Sequence, residues 1–130
     1  MNNTHQLGEL QLAIMQVLWT QGECTVAEVH RILEPRRGLA LTTIATMLSK
    51  MEKKGVVAHR TRGRQFIYRS AVEEDDVQRS MVSELTNRLF GGSVSALVNH
   101  LLSDQAIDPG ELKELKALIA SREKQGKNHA

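Results

Sequence analysis

The stretch TTIATMLSKMEKKG, Thr42 to Gly55, carries short hydroxyls and amines along one helical face. Thr42, Thr46, Ser49 and Lys53 recur at helical spacing, with Thr43, Ala45 and Lys50 beside them. Threonine is a mediocre helix former because its β-branch restricts χ1, so helix propensity does not account for this choice. Close approach to DNA does. Hydroxyls donate to or accept from base edges, and a threonine methyl can touch the thymine methyl. Lys50 and Lys53 would lie against flanking phosphates, which position a helix without reading sequence. Glutamate on this face would be repelled.

The same pattern also fits an ordinary solvated surface helix, and the next segment decides between the two. Arg60, Arg62 and Arg64 alternate, so they could share one strand face and reach a backbone or minor groove together. Arg69 is near the far end. From Lys50 to Arg69 there are seven basic residues against one acid, Glu52, although the whole chain is only +2. The acids follow at once, Glu73 to Asp76, as a solvated helix start favourable to the macrodipole. Such polarity gives the chain one end suited to polyanions.

The elements that must hold these residues can be read from periodicity. Leu10, Ala13, Ile14, Val17 and Leu18 form the stripe of a first helix stopped at Gly22. TVAE is a capping box for a second helix that ends near Pro35. Thr25 serves as its cap and counts among the candidate DNA contacts. A basic linker, RRG, leads to the third helix, whose buried stripe is Ile44, Met47, Leu48 and Met51 and whose end is Gly55. The period then changes to two. VVAHR and QFIYR read as strands joined at TRGR, with Phe66 and Tyr68 on one face. Three helices followed by an arginine-tipped hairpin is the order of a winged helix-turn-helix, whose third helix enters the major groove.

From Ser70 the pattern is helical again. Val77, Met81, Leu85 and Leu89 recur every fourth residue before Phe90 and the Gly91–Gly92 stop; Val94, Leu97, Val98 and Leu101 mark a second helix. Asp108 caps a third, at Pro109, that carries Leu112, Leu115, Leu118 and Ile119 before a frayed tail, KQGKNHA. The expected fold is therefore mainly α: a winged domain over 1–72 and a three-helix dimerisation domain over 73–130. These apolar stripes either fold back on the winged domain or pair with a second copy. A homodimer would set two recognition helices about 34–36 Å apart, or a multiple, on a palindromic site.

Other chemistry finds little support. The chain is 130 residues with 41% hydrophobic and 25% charged residues, enough for one domain or a small domain plus an appendage. His5, His30, His59, His100 and His129 lack metal-site spacing, and no glycine motif cradles phosphate, so neither a metal, a cofactor nor an enzyme activity is expected. One cysteine, Cys24, excludes an internal disulfide. No run approaches the roughly 20 apolar residues of a membrane span and the N-terminus lacks signal-peptide regions, so a cytoplasmic protein without membrane insertion is expected. The competing function is a winged-helix protein-interaction module that turns its basic face to an acidic partner without sequence-specific DNA binding.

LGELQLAIMQVLW, TVAEVHRIL, LTTIATMLSKMEKKGVV and NRLFGGSVSALVNHLL resemble, in order and spacing, the penicillinase-repressor (BlaI/MecI/CopY) family of bacterial regulators, over roughly residues 7–123. The resemblance implies a dimeric repressor of palindromic operators, often at β-lactamase or related resistance genes. Thr42, Thr43, Thr46, Ser49 and Lys50 would face the operator, and Ala45 stands where some members have arginine. In several members a membrane metalloprotease sensor leads to cleavage within the dimerisation helices. The matching region here is Asn99, His100 and Leu101, without the Asn-Phe pair of the staphylococcal repressors. The paired C-terminal cysteines of the copper-responsive branch are missing from the sequence. Proteolysis, a small ligand and oxidation of Cys24 all stay open as the signal.

Overall fold

The computed structural model describes residues 6–104 and 107–129, without the side chains of 104 and 127–129; His5, the His129 side chain and Ala130 lie outside it. By its contacts the chain divides into two compact units, Met1–Leu85 and Thr86–Ala130. This division falls later than the 72/73 division expected from the sequence.

In the first unit the helices are α1 (Glu9–Gln21), α2 (Val26–Arg37) and α3 (Leu41–Lys54), with a short strand β1 (Cys24–Thr25) between α1 and α2. The hairpin follows as β2 (Val57–Arg62) and β3 (Gln65–Ser70). All three strands form one antiparallel sheet in the order β1-β3-β2. The arrangement is a winged helix-turn-helix. Ile14, Met15, Val29, Ile44, Leu48, Met51 and Val56 are fully buried in one aliphatic core, so a single apolar stripe per helix positions all three.

Local chemistry sets the ends. Thr25 accepts the Glu28 amide at 3.2 Å while Glu28 accepts the Thr25 amide at 3.0 Å, which completes the capping box. Pro35 does not end α2: it is accommodated inside the last turn, and the helix closes at Gly38, whose φ of 59° is left-handed. The arginines of the expected linker, Arg36 and Arg37, are therefore helical. β1 is an addition, since two residues are too few to show a period. Its register places Cys24 opposite Tyr68 and Thr25 opposite Ile67.

The helix α4 (Glu74–Phe90) starts in the first unit. Val77 is 1% exposed within the winged-domain core and Met81 packs partly against it, so neither belongs to an exposed apolar face. The expectation that both serve dimerisation gives way to burial here, because a spacing of four shows a stripe but not what covers it. Trp19 anchors this exit from the wing by donating its indole N–H to Ser70 Oγ at 3.0 Å and to the Val72 carbonyl at 3.1 Å.

The second unit holds the end of α4, α5 (Val94–Asp104) and α6 (Pro109–His129). Ser93 and Asp108 cap the latter two by accepting the amides of Ala96 and Glu111. α6 runs on to His129, so KQGKNH, residues 124–129, continues the helix rather than fraying. Leu89, Val94, Leu118 and Ile119 are all more than half exposed.

Candidate nucleic-acid interface

α3 presents its hydroxyl face outward. Thr42, Thr43, Thr46, Ser49, Lys50 and Lys53 are exposed and Ala45 is half-buried, while Ile44, Leu48 and Met51 hold the opposite side at 0% exposure. The face divides in two. Thr42, Thr43, Thr46, Met47 and Lys50 line one shallow depression of about 270 Å³. Ala45 and Ser49 turn instead toward the wing, where a crevice of about 530 Å³ is bounded also by Leu41, Arg64, Gln65 and Phe66.

What holds α3 in place is partly polar. His30 Nε2 lies 2.8 Å from the Leu39 carbonyl, which ties the turn between α2 and α3 to α2. Gln11 donates to the sulfur of Met47, and the Lys54 ammonium donates to the Gln6 carbonyl. No side chain caps α3 at Ala40; the Thr43 amide donates instead to the Ala40 carbonyl at 3.1 Å.

The wing departs from the sequence reading in one respect. β2 ends at Arg62, and Arg64 sits in the two-residue connection with Gly63, whose φ is 64°. Arg64 therefore does not share a strand face with Arg60 and Arg62; the tight turn swings it to the α3 crevice. The three guanidiniums also differ in company. Arg60 donates from Nε and Nη2 to the two carboxylate oxygens of Glu23, at 2.7 and 3.0 Å. Among the described residues no ion pair involves Arg62 or Arg64. Arg69, on the same sheet face as Arg60, adds its field at Glu23.

Thr25 is buried at 8% exposure with its hydroxyl engaged in the cap, so its present role is to start α2. Two residues not singled out from the sequence sit at the root of the wing. His59 stacks on Phe66 with centroids 4.0 Å apart, and its Nδ1 lies 2.7 Å from both oxygens of Glu52 on α3. The period-two pattern that paired Phe66 with Tyr68 would have placed His59 on their face, because His59 is the register partner of Tyr68. Phe66 itself is 47% exposed at the crevice rim.

Among the described residues no three of the histidine, cysteine or acidic side chains converge. Cys24 is buried at 1% exposure, and burial, together with the nearby Glu28 charge, pushes its thiol above the ordinary value. No helix among the described residues is long and apolar enough to cross a membrane.

A family model described as penicillinase repressor matches residues 7–121. The chain is similar to the penicillinase repressor of Bacillus licheniformis, with 27% identity over 92% of this chain and 93% of that one. It is also similar to the methicillin resistance regulatory protein MecI of Mammaliicoccus sciuri, with 21% identity over 91% and 96% of the two chains. Among solved structures, the DNA-binding domain of the repressor BlaI aligns with a TM-score of 0.52 and 32% identity, covering 58% of this chain and 93% of that domain.

Proposed function

The chain belongs to the penicillinase repressor family, and from that premise we propose that it is a dimeric transcriptional repressor of a palindromic operator. One observation carries the proposal: the hydroxyl-and-lysine face of α3 stands exposed beside a wing whose Arg62 and Arg64 have no ion-pair partner among the described residues. In this reading Thr42, Thr43, Thr46 and Ser49 reach base edges in the major groove, while Lys50, Lys53, Arg62 and Arg64 contact phosphates.

The second unit supplies the symmetry. A lone chain leaves Leu89, Val94, Val98, Leu101, Leu118 and Ile119 exposed at 39 to 68%, which asks for a covering surface of the same kind. A second copy offers one, and the resulting two-fold pair of recognition helices matches an inverted repeat. Linking two small modules also raises the effective concentration of the second at its half-site. The regulated genes, in keeping with the relatives, are resistance genes of the penicillinase or methicillin kind, and the protein works in the cytoplasm. Derepression would follow a sensor-protease signal acting near Asn99, His100 and Leu101, all three exposed on α5.

The test is recovery and sequencing of sheared DNA from the source genome after binding to the purified protein at near-physiological salt. An inverted repeat enriched upstream of a few genes is the expected result. Fragments recovered without a shared motif would overturn the reading.

A further inference from the structure

We infer that Glu23 tunes DNA affinity by occupying Arg60: it is a built-in counter-ion with which DNA phosphates must compete. The inference rests on the DNA-binding reading of the wing and adds a residue that neither the helix pattern nor the arginine spacing identifies.

The geometry carries it. Glu23 immediately precedes β1, and Arg60 lies on β2, at the other edge of a sheet ordered β1-β3-β2. The two side chains meet across β3, where Arg60 pairs with Ile67 and Thr25 pairs with Ile67 from the other side. Strand alternation puts Glu23, Arg69, Arg60 and Arg62 on one sheet face. Arg60 uses both Nε and Nη2, one complete edge of its fork, on the two Glu23 oxygens. A phosphate can engage that edge in the same bidentate manner, and a single guanidinium edge serves one anion at a time.

The neighbours sharpen the point. The Arg60 hydrogen bond, and then the fields of Arg60, Arg69 and Arg62, hold the Glu23 carboxyl below its ordinary value, so it is ionised wherever the protein works. Both partners are about half exposed, which leaves the pair open to exchange. When Arg60 moves to a phosphate it gives up its attraction to Glu23, and because salt screens that attraction the exchange costs less as salt rises. In the wild type Arg60 therefore adds less to the salt dependence of binding than Arg62 and Arg64 do.

The experiment measures affinity for a random-sequence DNA duplex across a salt series, for the full chain and for E23Q, R60Q, R62Q and the E23Q/R60Q double variant, with thermal melting as the folding control. E23Q should bind roughly two- to fivefold tighter. The gain should be largest at low salt and shrink as salt rises, because salt screens the attraction between Glu23 and Arg60 that E23Q removes. In the R60Q background the substitution at Glu23 should bring no gain. An equal gain in that background shows a general field effect and overturns the inference, as does an unchanged or weaker E23Q. Wild-type protein without salt-dependent affinity overturns the DNA reading itself, and this inference with it.

Discussion

Nδ1 of His59 lies 2.7 Å from each carboxylate oxygen of Glu52, so the root of the wing is fastened to the last turn of α3. The contact is about two-thirds shielded on both sides, and the ring is further fixed by its 4.0 Å stack on Phe66. The carboxylate contact thus ties the wing to α3, and the stack within the hairpin holds the ring in place to make it. Removing either should loosen the wing without emptying the core. His59→Ala should cost about 1–2 kcal/mol in urea unfolding, from the lost hydrogen bond and ring contact. In a double-mutant cycle with Glu52→Gln, the effects on DNA affinity should be strongly non-additive, because both act through one contact. Additive effects would show that the two residues position nothing jointly.

The face of α3 makes a sharper prediction. Thr46 is exposed and beside Thr42, Thr43 and Lys50, so changing it disturbs no packing. Thr46→Glu should weaken operator binding roughly ten- to a hundredfold while the melting temperature and the oligomeric state stay unchanged. A gel shift identical to wild type would remove α3 from the interface.

The wing's arginines should separate by salt. Arg62→Gln and Arg64→Gln should each flatten the salt dependence of binding by about 0.9 in the logarithmic slope, across specific and random DNA alike. A loss confined to one sequence would instead mean that the residue reads a base.

The apolar surface of the second unit predicts the oligomeric state. Leu89 is 68% exposed in the single chain, so Leu89→Glu should leave the helices folded. Sedimentation should show monomers for the variant and dimers for wild type, with a large drop in operator affinity. A variant that sediments as a dimer would place the contact elsewhere.

Cys24 should be silent. Burial raises its thiol above the ordinary value, so less thiolate is present near neutral pH than for a free cysteine. Iodoacetamide should label it only after denaturation. Rapid labelling of the folded protein would reopen oxidation as an inducing signal.

How much of this was written in the chain follows from the range of each interaction. The stripe Ile44, Met47, Leu48, Met51, the Thr25–Glu28 capping box and the glycine stops rest on contacts between residues at most seven apart, and those leave a period in the sequence. The winged order and the hydroxyl face of α3 were legible for that reason. The helix end at Gly38 and the strand end at Arg62 were not, because a proline tolerated in a last turn and a two-residue turn differ from their alternatives by one to three residues.

The sequence by itself determined which residues could meet DNA: it sets their type and their helical or strand phase. Only the tertiary structure decided which of them are free to do so. Glu23 and Arg60 are separated by 37 positions, and Val77 reaches a core formed by helices at the other end of the winged domain. No local period encodes such pairs, since they exist only once β1 has joined the sheet and α4 has packed back. The free energy that closes them comes from burying the aliphatic core, and the charges then take whatever partners that packing brings within reach.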